Sequence, residues 1–159
     1  MRCITLSVFL LAGCVFGQVP DSEAAALKKL TLSLAALTDG GSPQATHRER
    51  IANDIMTLSE EHHRPSPVAA RKVADGLVVA LHGRQSLNPQ ISQLATGILA
   101  VLHSAGVGTS KFRESISRVE NVLSSVGVNA TAAKKVSADL EAVGNEVRGP
   151  QGMPAIPLR

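Results

Sequence analysis

The chain has 159 residues and a formal net charge of +3, which falls to +2 when Arg2 in the N-terminal segment is left out. This length suits one domain with a real hydrophobic core better than two domains. Aromatic residues make up only 2% of a chain that is 44% hydrophobic, so the core is predicted to be aliphatic and helical. Base-stacking platforms and a strongly basic footprint for nucleic acid are excluded.

Residues 1–17 have the pattern of an export signal, with a basic start at Arg2 and an apolar run over residues 3–16. Two hypotheses for its processing stay open. Residues 11–14, LAGC, resemble the lipobox of bacterial lipoproteins, and this resemblance implies cleavage before Cys14 and a lipid on its sulfur. The alternative is ordinary cleavage after Gly17. An uncleaved anchor is disfavoured, because the apolar run is shorter than the ~20 residues that span a bilayer.

Export predicts a periplasmic, outer-envelope or extracellular protein that meets the membrane only through its signal or a lipid anchor. Both cysteines of the chain, Cys3 and Cys14, belong to the signal segment. The helical domain, residues 18–148, therefore has no disulfide, thiol nucleophile or cysteine metal ligand. Its stability is predicted to come from packing alone.

Six segments of the helical domain carry apolar residues at steps of three and four, the period of an amphipathic helix. Each begins near a residue that can cap a helix N-terminus. These candidates are Asp21 or Ser22, Thr46, Ser66, Asn88, Thr109 or Ser110, and Asn129 or Thr131. Thr46 has Glu49 three residues later, which is a capping-box pattern, and Pro67 follows Ser66 at a first helical position. The sequence thus predicts an all-α bundle of about six helices.

The fourth segment, residues 88–106, is the most apolar after the signal and is predicted to lie in the middle of the bundle. Ile91, Leu94, Ile98 and Val101 mark its inward face. Polar residues interrupt the segment, and it is too short for a membrane span.

The six segments also predict a duplicated three-helix unit. The apolar positions of the first segment match those of the fourth at an offset of 64 residues, while the second and third match the fifth and sixth at 65 and 63. Two amphipathic helices can always be aligned on their shared period, so the polar matches carry more weight. Arg71-Lys72 matches Lys134-Lys135 in this way.

Two clusters of polar residues are candidate sites. His62 and His63 are the nearest approach to a metal cluster, but adjacent helical residues point about 100° apart, and a solvated helix end explains them better. Arg71, Lys72, Lys134 and Lys135 could form two related cationic spots for an anionic surface, although a solvated face is the simpler explanation. No metal or other cofactor is predicted.

No catalytic motif is found either. Residues 106–111, GVGTSK, lack the adjacent Gly-Lys-Ser/Thr order of a phosphate-binding loop, and the chain has no Gly-x-Ser-x-Gly elbow. Residues 149–159 contain three Pro and two Gly and are predicted to form an extended tail. The sequence therefore predicts a non-enzymatic, exported interaction module with an unknown protein or envelope component as partner. The alternative is a small carrier that holds an apolar ligand between helices.

Overall fold

The computed structural model describes residues 21–38, 44–59, 65–84, 88–105 and 109–148, and every regular element within these ranges is an α-helix. The six helices are α1 (Asp21–Thr38), α2 (Gln44–Leu58), α3 (Pro67–Leu81), α4 (Asn88–Ser104), α5 (Thr109–Ser125) and α6 (Ala130–Arg148). The predicted all-α bundle of six helices is confirmed. None of these helices is long and apolar enough to cross a membrane.

Two helix starts follow the predicted capping chemistry. The Ser66 hydroxyl accepts a hydrogen bond from the amide of Ala69 at 3.2 Å, and Pro67 follows as the first residue of α3. The Asn129 side chain accepts from the amide of Ala132 at 2.7 Å, so Asn129 is the cap of α6. Each bond satisfies an amide that has no partner within its own helix.

The predicted capping box of the second helix is wrong. Helix α2 begins at Gln44, so Thr46 lies inside its first turn and does not cap it. The amides of a first helical turn have no carbonyl partner within the helix wherever it begins. Nothing in Gln44 or Ala45 prevents helical backbone, so the helix begins before Thr46. Two helices end at glycines in the left-handed region: Gly83 and Gly127 follow α3 and α5 with φ of 71° and 79°.

The helices pack as two similar groups of three. Helix α2 lies against α1 and α3, α5 lies against α4 and α6, and the groups meet where α1 contacts α4 and α3 contacts α6. Helices α3 and α6 are antiparallel. Ser66, just before α3, contacts Glu146 near the end of α6, while Gly76 further along α3 lies against Val136 near the start of α6. Four inner helices thus form the centre, with α2 and α5 outside them.

The core is aliphatic, as predicted, except for Phe112, and α3 and α4 are both largely enclosed. Leu94, Ile98 and Val101 of α4 are at most 1% exposed. Helix α3 is enclosed to a similar degree, with nine buried residues among its fifteen. It is covered by α2 on one side and by α6 on another, which its own apolar pattern did not reveal.

Burial in the two halves repeats at the predicted offsets. Val73 and Leu77 of α3 are fully buried, and so are Val136 and Leu140, which lie 63 residues later in α6. The order of helix contacts repeats as well. Both observations support the predicted duplication, which stays a hypothesis about how the chain arose.

Candidate functional site

A groove open to solvent runs between α4 and α5, and it is the strongest candidate site in the described ranges. Its floor on the α4 side consists of small residues spaced at helical intervals, among them Ser92, Thr96, Gly97 and Ala100. A Cβ at Gly97 would lie 2.9 Å from Cγ2 of Val119 on α5, so the glycine allows the two helices to approach closely. Short side chains above this close contact leave the groove unfilled.

The groove has two adjoining parts. The first has a volume of about 490 Å³, is mainly apolar and is bordered on α5 by Arg118, Asn121 and Val122. The second has a volume of about 450 Å³ and extends to the C-terminal end of α4, at His103. Ala100 and Arg118 line both parts, so the two parts of the groove form one continuous surface.

Charged side chains gather at the second part. Arg118 donates to Glu114 at 2.6 Å, one helical turn away, and His103 pairs with Glu23 of α1 at 3.1 Å. The ammonium group of Lys111 is exposed, and no residue in the described ranges forms an ion pair with it. One end of the groove therefore presents an uncompensated positive charge beside an apolar floor.

The equivalent groove between α1 and α2 is smaller and more polar. Its volume is about 330 Å³, and larger or charged side chains line it, including Lys29, Leu32 and Arg50. Ser33 occupies the position that matches Gly97, and its hydroxyl donates to Asp54 at 2.6 Å across the helix interface. The wide apolar groove between α4 and α5 is thus a property of one half of the chain.

The basic residues singled out in the sequence are partly neutralised in the structure. Arg71 pairs with Glu49 at 3.2 Å, and Lys135 pairs with Asp139 at 2.8 Å. Lys72 and Lys134 are exposed, without an ion-pair partner in the described ranges. No described contact joins the two basic pairs.

The other predicted site residues, His62, His63 and Cys14, lie outside the described residues, as do the predicted export segment and the predicted tail from Gly149. Within the described ranges, no three His, Cys, Asp or Glu residues are grouped so that they could hold a metal ion.

A buried histidine was not anticipated from the sequence. The side chain of His47, in the first turn of α2, is 3% exposed, and its Nδ1 has no hydrogen-bond partner among the described residues. The matching position in α5 is Phe112, which is 4% exposed. His47 thus occupies a core position that the other half fills with an aromatic ring.

The groove itself was also missed, although a signal was present. Ser92, Thr96, Ala100 and Ser104 follow one another at four-residue steps, which places four small side chains on one face of α4.

Comparison with known proteins adds no further guide: the chain has no significant match among family models, curated proteins or solved structures.

Proposed function

We propose that the chain is an exported, non-enzymatic helical interaction module that receives a partner segment in the groove between α4 and α5. The mainly apolar first part of this groove, which is open to solvent and continues into a charged second part, is the observation that carries the proposal. Exposed apolar clefts with a polar rim are common sites of protein recognition. The export segment supports a partner in the envelope or outside the cell.

The chemistry of the groove indicates an amphipathic helix with an acidic residue near one end. Small side chains at Thr96 and Ala100 leave room for apolar side chains of such a helix, which bind grooves at intervals of three and four residues. Lys111 offers a charge partner for the acidic residue. The carboxylate of Glu114 is paired with Arg118, and that of Glu23 lies 3.1 Å from His103, so Lys111 is the cation left for a partner in the described ranges of this groove.

The proposal can be tested with two synthetic amphipathic helices of about 18 residues, identical except that one carries Glu and the other Lys on the polar face. Nuclear magnetic resonance of the labelled chain should show shifts at the amides of Thr96, Ala100 and Val122. The acidic peptide should bind roughly tenfold more tightly than the basic one.

Thr96→Trp should abolish these shifts, because the indole would occupy the groove. Thr57→Trp is the matched control, since both threonines are exposed and donate to the carbonyl four residues earlier. Thr57 lies on α2, away from the groove, and its variant should bind normally. Equal binding of the two peptides, or unchanged binding by Thr96→Trp, would overturn the proposal.

A second function, carriage of a small apolar ligand, is favoured by the size of the groove. Its first part, about 490 Å³, falls within the ~300–1,000 Å³ range of ligand pockets. Dodecanoate is a suitable probe, with an apolar chain and one carboxylate for Lys111. Saturable shifts with dodecanoate, together with no binding of either peptide, would replace the interaction module by a carrier. Failure of all three probes would exclude both.

A further inference from the structure

A second surface lies on the outer face of α3, away from the groove. The large hydrophobic side chains that are exposed in the described ranges are Leu32, Val68 and Val79, and two of these three belong to α3. Val68 is 63% exposed and Val79 is 76% exposed. They are separated by three helical turns and therefore point in nearly the same direction. Each is large, apolar and exposed, and the two lie on one stripe of the helix.

Two opposite charges complete this stripe. Lys72 and Asp75 lie between the valines at steps of four, three and four residues, which keeps all four side chains on one side of α3. Lys72 is exposed and has no ion-pair partner in the described ranges. Asp75 pairs with Arg48 of α2, yet its side chain is still 45% exposed. Its Oδ1 is buried at that contact, so a further cation would meet the exposed remainder of the side chain.

The order valine, lysine, aspartate, valine is complementary to itself. When two copies of α3 lie antiparallel about a two-fold axis between positions 73 and 74, Val68 of each copy faces Val79 of the other. The same axis places Lys72 of each copy opposite Asp75 of the other. Antiparallel helix pairs pack with this alternation of three- and four-residue steps. A single two-fold axis thus covers Val68 and Val79 and pairs Lys72 with Asp75 of the other copy.

We propose that the chain forms a two-fold symmetric dimer through this stripe of Val68, Lys72, Asp75 and Val79. The contact is one helix wide, so the dimer is weak and reversible, as expected of a small interface. The proposal is independent of the α4–α5 groove, because none of the four residues lines that groove. A dimer would present two grooves at once and raise the avidity for a multivalent partner.

The decisive experiment is a charge exchange followed by sedimentation velocity from about 10 μM to about 1 mM. Wild-type chain should show a concentration-dependent rise toward the dimer. Lys72→Glu should weaken the association by at least roughly tenfold, because two Glu–Asp repulsions replace two attractions. Asp75→Lys should do the same through two Lys–Lys repulsions. An equimolar mixture of the two variants should restore the dimer, since each new Glu then faces a Lys.

Asp75→Lys also removes the partner of Arg48, so circular dichroism must show that this variant is folded. Val79→Asp gives a test that does not depend on it. Val79→Asp should abolish the dimer, while Leu32→Asp, which places the same charge at an exposed site on α1, should leave it unchanged.

A wild-type chain that is monomeric at about 1 mM would overturn the proposal. Equal effects of Val79→Asp and Leu32→Asp would do so too, as would a mixture that stays monomeric. Thr96→Trp should leave the dimer intact, so failure of the groove and failure of this stripe give different results.

Discussion

At the scale of single residues, two helices approach closely where one of them has a glycine opposite a larger side chain of the other. A Cβ at Gly76 would lie 2.9 Å from Val136 on α6, and one at Gly144 would overlap the ring of Phe112 on α5. Gly76 thus lets α6 approach α3 through an aliphatic side chain, while Gly144 makes room for Phe112, one of three aromatic residues in the chain. Substitutions at such positions therefore report directly on the packing.

Gly144→Ala is expected to lower the free energy of unfolding by ~1–3 kcal/mol, because the added methyl group overpacks the contact with Phe112. Phe112→Leu in the same chain should recover part of this loss by removing the ring. Urea denaturation of the wild type, both single variants and the double variant would measure the coupling. Strict additivity would show that Gly144 and Phe112 do not interact.

Ile98→Ala is expected to cost ~2–5 kcal/mol, because Ile98 is fully buried in α4 and its truncation leaves a cavity. Leu32→Ala is the comparison, since Leu32 is also aliphatic and lies within a helix but is 60% exposed. Its loss should be under ~1 kcal/mol. Equilibrium unfolding followed by circular dichroism measures both. Similar losses would contradict the assignment of the inward faces.

At the scale of helices, capping and long-range contacts are combined at the start of α3. Ser66 accepts from the amide of Ala69, and its own backbone amide donates to Glu146 of α6 at 2.7 Å. The Arg84 side chain makes a similar connection at the other end, where it donates to the carbonyl oxygens of Ala80 and Val126. Helix ends in this protein thus also hold neighbouring helices in place.

Ser66→Ala is expected to lower stability by ~1 kcal/mol, since the cap and the hydroxyl contact with Glu146 are both lost. Thr57→Ala serves as the control, because its exposed hydroxyl only donates to the carbonyl of Asn53 within α2. That change should stay within ~0.5 kcal/mol. Chemical denaturation of the pair would decide. An equal effect of both substitutions would mean that Ser66 does not stabilise the start of α3.

At the scale of the whole molecule, the two groups of three helices depend on each other. The inner faces of α1 and α3 are buried against α4 and α6, so either half alone would expose a large apolar surface. A unit of this size also buries a smaller fraction of its surface than the full domain. The fold is therefore complete only when both halves are present.

We expect separate peptides of residues 21–84 and 88–148 to show little cooperative structure alone and to regain helicity when mixed. The physical reason is that α1 and α3 of one half bury their apolar faces against α4 and α6 of the other half. Circular dichroism with thermal melting of each peptide and of the mixture is the measurement. A cooperative melt of either isolated half, unchanged on mixing, would show that the halves are separate domains.

Local features of the sequence were sufficient to predict the helices. Apolar residues at steps of three and four, Ser66 before Pro67, and glycines at 83 and 127 are properties of neighbouring residues, so they predict where helices lie and end. The start of α2 was placed three residues too late, because a capping pattern at Thr46 does not forbid an earlier start.

The sequence by itself determined the fold class, the helix positions and the aliphatic core, because these depend on local periodicity and composition. Only the tertiary structure decided which faces are covered. Val68 and Val79 are exposed because none of the six described helices lies over that side of α3. Small side chains at Thr96 and Ala100 form a groove only because α5 packs beside them. Such distances depend on residues far apart in the chain, and no local pattern records them.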